Sequence, residues 1–275
     1  MRLSTAALGL VLTGCYTNSE GISPPLDRIY FPVGLTTDCD SRARDPAACE
    51  AKRLYVASSD FDLQYNAGSL QVLNLEVVRR LVDTVCPASE NDASCLNGSH
   101  CGDAGLTVQD DAERAMVPGP CGPVELGYRD ATTDNQRLLF DSVGIGAFAT
   151  DVILTSSLHS GKKRLLVPVR GESSLHWIDL EDDGALSCGQ TATSPVCQPK
   201  HRVGTEGTTN SRGARMPPEP YGIAVSDEGD AIVVTHQTEG RLSLFSQSQK
   251  DEDAWSAGPR LDYIHDLPAA QAVAI

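Results

Sequence analysis

Three polar segments of this chain carry side chains that could do chemistry, and each directly follows a β-rich run. In chain order these residues are Asp60, Asp62, Asn66, Arg170, Glu172, His236 and Gln237. Carboxylates beside an amide could bind calcium or share a proton in acid–base catalysis. A mixed set of Asp, Arg, Glu and His could also form a polar ligand site. Solvated hairpin loops have the same composition and are the competing interpretation.

Signatures of specific chemistries are missing from the sequence. There is no Gly-x-Ser-x-Gly nucleophile motif, no phosphate loop, no dinucleotide fingerprint and no EF-hand spacing. The histidines at positions 159, 176, 201 and 265 have no metal-ligand spacing. We therefore assign no catalytic residue, no metal ligand and no cofactor. Calcium in the acidic loops stays an open alternative.

The elements that would position these polar residues recur along the chain. Each unit has a buried-looking strand, a polar link and an alternating strand, at 53–58 and 68–75, 164–169 and 173–180, and 231–235 and 240–245. A short element precedes each unit, at 31–35, 148–154 and 220–225, and outer strands are expected at 138–143 and 261–264. This repeat is typical of β-propeller blades, which take about 40–50 residues each. The sequence predicts an all-β propeller, with an unrelated β-sandwich as the alternative.

The predicted array is partial. We expect units at about 29–85, 137–204 and 220–266, a cysteine-rich insert at 86–123, and the first strand of a fourth unit at 271–275. Three blades and one strand would leave an open sheet edge, whereas closed propellers have about four to eight blades. We therefore expect either a truncated chain, which we favour, or an edge that another chain covers.

The short apolar run at the N-terminus ends in Leu12-Thr13-Gly14-Cys15, which resembles a bacterial lipobox. The resemblance implies that residues 1–14 are a signal peptide and that Cys15 becomes the lipidated first residue. Residues 15–27 would then be a tether from the membrane to a propeller at 28–275. Because Tyr16 rather than Asp follows the cysteine, the resemblance points to the outer membrane. An ordinary signal peptide with an incidental cysteine is the alternative.

Cysteine parity agrees with an exported protein. The chain has nine cysteines, and assigning Cys15 to lipid leaves an even set for disulfides. Proximity suggests the pairs Cys39–Cys49 and Cys188–Cys197. Four more cysteines share one insert and can pair among themselves in three ways, namely Cys86, Cys95, Cys101 and Cys121. A metal site that combines these cysteines with His100 is the less favoured alternative, because the spacings are long for zinc.

Several motifs carry a family resemblance. They are Pro220-Tyr221-Gly222-Ile223-Ala224, the segment 146–151 (Gly-Ala-Phe-Ala-Thr-Asp), the segment 167–171 (Val-Pro-Val-Arg-Gly) and the segment 174–180 (Ser-Leu-His-Trp-Ile-Asp-Leu). Together with the lipobox, they resemble the YVTN-type β-propeller lipoproteins of bacteria, in particular those of myxobacteria. The resemblance covers about residues 28–275 and implies a lactonase-like propeller fold.

Charge and fold leave two classes of function. The formal net charge of −15 argues against a nucleic-acid partner or an anionic lipid surface. We favour a membrane-anchored binding module for a protein or polymer partner in the envelope. The alternative is an exported propeller enzyme, either a lactonase-like hydrolase or a quinoprotein-like dehydrogenase. Propellers host both classes, so the fold cannot decide between them.

Overall fold

A computed structural model shows three antiparallel sheets of four or five strands, which follow one another in sequence order along the described chain. The described residues are 21–39, 49–61, 64–87, 97–110, 113, 119–130, 136–205 and 213–267. Several expectations lie outside them, namely the signal peptide, Cys15, Asp62, Cys95 and the strand at 271–275.

The first sheet has the strand order β1-β2-β3-β6. Its strands are β1 (Pro32–Thr37), β2 (Arg53–Ser58), β3 (Gly68–Asn74) and β6 (Leu139–Ile145). The chain leaves this sheet after β3, forms the two-stranded pair β4 (Arg129–Asp130) and β5 (Gln136–Arg137), and then returns. Because β6 pairs with β3, residues 139–145 belong to the first sheet, and the expected start of the second unit at 137 is too early.

The second sheet contains β7 (Ile153–Ser156), β8 (Lys163–Val169) and β9 (Ser174–Leu180). Its outer position is shared by two short strands, β10 (Leu186–Ser187) and β11 (Arg202–Val203), which both pair with β9. A short 3-10 helix, Pro199–His201, precedes β11.

The third sheet has the simple order β12-β13-β14-β15. Its strands are β12 (Pro220–Val225), β13 (Ala231–His236), β14 (Arg241–Ser246) and β15 (Arg260–Asp266). The predicted all-β propeller architecture is confirmed, with three four-position antiparallel blades and long disulfide-tied loops.

Alternation along the strands explains how the blades stack. Leu165 and Val167 of β8 belong to a core shared with the first blade, including Leu70. Leu166, between them, belongs to a second core shared with the third blade, including Phe245. Successive side chains of a strand point to opposite faces, so the second blade is apolar on both faces. Burial between the sheets therefore holds the blades together.

A repeated backbone contact defines equivalent positions in the three blades. The amide N–H groups of Ser59, Arg170 and Gln237 donate to the carbonyls of Phe31, Phe148 and Glu219, at 3.0, 2.9 and 3.0 Å. Those three acceptor residues all have positive φ, at 49°, 59° and 54°. Non-glycine residues rarely adopt this conformation. The blades are thus copies at the level of backbone geometry, and residues can be matched across them.

Two helices in the described ranges are additions to the blades. Helix α1 (Leu75–Val85) follows β3 directly, and Asn74 caps it by accepting from the Glu76 amide. Helix α2 (Glu252–Ser256) lies between β14 and β15, with Asp251 as its cap. The sequence analysis predicted neither helix.

Three disulfides are described. Cys39–Cys49 and Cys188–Cys197 are the pairs that proximity suggests, and Cys101–Cys121 lies within the four-cysteine insert. Cys86 is also disulfide-bonded. The metal alternative for these cysteines is therefore wrong for Cys86, Cys101 and Cys121, because disulfide sulfurs are not thiolate ligands.

Candidate functional site

Arg170 and Glu172 lie in the loop between β8 and β9, where they link structural elements. Arg170 donates to Glu219 Oε1 at 2.9 Å and so joins the second blade to the third. Glu172 accepts from Arg202 at 2.5 Å and lies 3.5 Å from His176 Nε2. Burial opposes ionisation of Glu172, but His176 and Arg202 outweigh it and lower the pKa of this carboxyl group.

His236 ends β13 and is buried. Its Nδ1 lies 2.9 Å from the Pro218 carbonyl oxygen, and its Nε2 lies 2.8 Å from Ser243 Oγ. A carbonyl can only accept, so Nδ1 carries the proton and Nε2 accepts from the Ser243 hydroxyl in the neutral ring. Burial lowers the pKa of His236 and favours that neutral form. Neighbouring Gln237 is exposed.

Asp60 and Asn66 organise the loop between β2 and β3. Asp60 is buried at a positive φ of 56°, and its Oδ1 accepts from the Tyr65 amide at 3.2 Å. Asn66 donates to the Gly21 carbonyl at 3.0 Å and so links this loop to Gly21. Through these contacts the predicted polar residues stabilise the loops at one edge of the array. A ligand role for them stays a prediction.

A cleft opens at the opposite edge, between the first two blades and bordered by Trp255 and Ser256 of helix α2, with a cavity volume of about 760 Å³. Ligand sites commonly fall between about 300 and 1,000 Å³. Its lining is dominated by charged side chains, four basic (Lys52, Arg53, Lys162 and Lys163) and six acidic (Asp38, Glu76, Asp179, Glu181, Asp182 and Asp183). The cleft therefore suits a polar ligand that carries charge.

The basic wall is built by strand starts. Arg53 begins β2, stacks its guanidinium 3.9 Å over the Phe140 ring, and donates to Asn74 Oδ1 at 3.3 Å. Lys163 begins β8 and donates to the Asp38 carbonyl oxygen at 2.5 Å. Lys162 pairs with Glu252 of helix α2. Lys162, Lys163 and Arg53 each interact with an oxygen atom of the protein, and Arg53 also stacks on an aromatic ring.

The acidic wall is the turn between β9 and β10. Glu181, Asp182 and Asp183 are exposed along it. Gly184, at a φ of +89°, follows them, and a Cβ placed there would lie 2.9 Å from Arg53 Cγ. Tyr55 donates to the Gly184 carbonyl at 3.4 Å, and burial raises the pKa of its phenol. The turn is thus packed directly against the first blade, so the walls of the cleft hold each other in place.

The equivalent place between the second and third blades is filled. Arg164 matches Arg53, because Arg164 pairs in register with Asp179 as Arg53 does with Asn74. Arg164 is fully buried, lies 2.7 Å from Asp179 Oδ1, and donates to the Trp255 carbonyl oxygen at 3.0 Å. The Trp255 ring lies 4.5 Å from its guanidinium. Helix α2 therefore closes the interface between the second and third blades. The corresponding connection at the first interface is only the short turn 181–185, which leaves the cleft open.

The sequence analysis missed the cleft, although one signal for it is visible. Lys52-Arg53 and Lys163-Arg164 are the same dipeptide at the same position of two blades. A charged pair repeated at strand starts indicates a shared contact at the sheet edge. The openness of one site and the closure of the other could not be predicted, because they depend on helix α2 of the next blade.

The described ranges contain neither a metal-ligand cluster nor a membrane-spanning helix. Within those ranges, no three His, Cys, Asp or Glu side chains are grouped as a metal site would need. None of the described helices has the length and apolar character to cross a membrane.

No protein-family model and no curated protein matches the chain. Among solved structures, candidate 6-phosphogluconolactonases of Bacteroides uniformis and Bacteroides fragilis align with TM-scores of 0.40 and identities of 12% and 10%. The alignments cover 86% and 84% of this chain, and 44% and 41% of those proteins. The periplasmic gluconolactonase of Pseudomonas aeruginosa aligns with a TM-score of 0.28 and 11% identity, over 78% of this chain and 55% of its own.

This chain thus spans about half the length of these similar proteins. At such TM-scores the fold assignment rests on strand order and register in the three blades. Function has to be argued from the side chains of this chain.

Proposed function

We propose that this chain is a lipid-anchored protein of the bacterial envelope whose propeller array binds a protein or polymer partner. The observation that carries the binding role is the charged cleft between the first two blades. Its rim offers Lys52 and Arg53 on one side and Asp182 and Asp183 on the other. A partner with both charge signs would find complementary groups there, which gives orientation as well as attraction.

The lipid anchor is a separate part of the proposal and rests on the lipobox-like Leu12-Thr13-Gly14-Cys15. An anchor at Cys15 would keep the array beside the membrane, within reach of an envelope partner. The test is metabolic labelling with a fatty-acid analogue, which Cys15→Ser is expected to abolish. Labelling that persists in this variant would refute the anchor and leave the binding role untouched.

The binding role is tested by cross-linking and affinity capture of the full chain from its own envelope. We expect one partner in stoichiometric amount. The charge reversal Asp182→Lys, on the rim of the cleft, should abolish capture. Asp227→Lys, at an exposed turn of the third blade, is the matched control and should retain it. Equal capture by both variants would show that the cleft is not the binding site.

The lactonase-like alternative has its own assay. Gluconolactone is the substrate to use, because a gluconolactonase is among the structures that resemble this chain. The binding proposal expects hydrolysis at the buffer rate. Turnover well above that rate by the wild-type chain would replace it with an enzymatic function.

A further inference from the structure

Arg53 and Arg164 occupy the same position of two blades but have different partners. Asp179, a carboxylate, lies 2.7 Å from Arg164, and further acceptors are Gln247 Oε1 and the Trp255 carbonyl oxygen, each at 3.0 Å. In the first blade the residue in register is Asn74, whose neutral amide oxygen accepts from Arg53 at 3.3 Å. Arg164 thus receives a peptide segment from the third blade and a carboxylate from its own blade. Arg53 receives neither from the described residues.

The remaining partners of Arg53 leave its charge poorly matched. Its Nη1, which makes the Asn74 bond, also donates to the Lys52 carbonyl at 3.2 Å, and its Nε is buried with no hydrogen-bond partner among the described residues. Asp38, on the same wall, uses Oδ1 to accept the backbone N–H groups of Lys52 and Arg53, at 2.9 and 3.2 Å. A guanidinium held between an aromatic ring and neutral acceptors favours an incoming carboxylate, which its other terminal nitrogen, Nη2, can bind through a charge-assisted hydrogen bond.

The contacts of Arg164 indicate the kind of ligand. Two of its three oxygen partners, Gln247 Oε1 and the Trp255 carbonyl, come from one stretch of chain, residues 247–256. That stretch contains Lys250 next to Asp251, Glu252 and Asp253. A segment of this kind also fits the other wall of the cleft, where exposed acids would repel a ligand that is purely anionic.

We propose that the cleft between the first two blades binds an acidic peptide segment that also carries a basic residue, with Arg53 holding a carboxylate of that segment. The inference rests on the proposed binding role and names the ligand class of the same site. The chain's own segment 247–258 is the model ligand, because it gives Arg164 the Gln247 and Trp255 oxygens and carries three consecutive carboxylates, Asp251, Glu252 and Asp253, that could take the place of Asp179.

The experiment is calorimetric titration of the full chain with a synthetic peptide of residues 247–258. We expect binding by the wild type and at least about a tenfold weaker affinity for Arg53→Gln, the loss that one charge-assisted contact accounts for. Asn74→Asp should weaken binding similarly, because it gives Arg53 an internal carboxylate. Asp caps helices as well as Asn does, so this variant should keep helix α1 and its circular dichroism spectrum. Arg260→Gln, at an exposed arginine of β15, is the control that should leave affinity unchanged.

Each result has a definite meaning. Equal affinity of the wild type and Arg53→Gln would overturn the inference, and would be expected if the peptide displaced residues 247–258 from their own site beside Arg164. A peptide with Asp251, Glu252 and Asp253 changed to amides should not bind, and binding by it would exclude a carboxylate at Arg53. If the wild type does not bind the peptide, this inference fails while envelope capture still tests the proposed function.

Discussion

Arg164 and Asp179 face each other across β8 and β9, with the guanidinium 2.7 Å from Asp179 Oδ1 in an interface that buries Arg164 completely. Burial lowers the pKa of Arg164, and Asp179 counteracts this. An arginine without a carboxylate at this depth would be an unpaired buried charge, which is costly. Pairing with Asp179 therefore offsets the cost of burying the Arg164 charge between the second and third blades.

Asp179→Asn should lower the free energy of unfolding by about 2 kcal/mol, less than for a fully buried pair because one-third of the Asp179 side chain is exposed. The variant reproduces the Arg53–Asn74 arrangement of the first blade. Urea denaturation measures the effect, and Asp183→Asn, at an exposed position nearby, is the control expected within about 0.5 kcal/mol of the wild type. Equal stability of both variants would contradict the assigned role.

Trp255→Ala should destabilise the chain by about 3–5 kcal/mol, because it removes a buried ring and opens a cavity over Arg164. The same substitution at the exposed Tyr263 of β15 is the comparison and should cost much less. Thermal unfolding distinguishes the two. A small effect of Trp255→Ala would mean that helix α2 does not close the second interface.

The strands, the helices and the cleft differ in how far the amino-acid sequence predicts them. The strands around Arg164 and Trp177 were predictable, because apolar alternation and turn residues recur in three copies. Helix α1 was not, since Asn74 ends a strand and caps the helix at once and leaves no loop as a boundary signal. The Arg164–Asp179 contact depends on strand register, and the cleft at Arg53 depends on helix α2 of another blade. Neither can be inferred from local pattern.

Removing the disulfide Cys188–Cys197 should cost more than removing Cys39–Cys49. The two bridges span 9 and 10 residues, so chain entropy predicts a similar loss for each, about 2–3 kcal/mol. Cys188 and Cys197 are also buried in the core shared by the first two blades. The double variant Cys188→Ser/Cys197→Ser buries two serine hydroxyl groups in that core. Its free energy of unfolding, measured by urea denaturation, should therefore fall further than that of Cys39→Ser/Cys49→Ser. Equal losses would show that the core contact of Cys188–Cys197 adds nothing.

Stability should fall as the solution is acidified below neutral pH. Burial lowers the pKa of His176, His201 and His236 from the ordinary value of 6.5. Below that value the unfolded chain binds protons that the folded chain does not, so the free energy of unfolding decreases with falling pH. Glu172, whose pKa is lowered in the folded state, adds a loss of the same sign at more acidic pH.

Denaturation curves at pH 7.5 and 5.5 measure this slope, and His236→Gln should reduce it. The glutamine can still donate to the Pro218 carbonyl or accept from Ser243, but it does not titrate. Because His236 Nδ1 and Nε2 are both engaged in the neutral ring, protonation has to reverse the Ser243 hydrogen bond, so that the hydroxyl oxygen accepts from Nε2. A wild-type stability that is flat or rises on acidification would show that these buried rings already carry a proton in the folded chain.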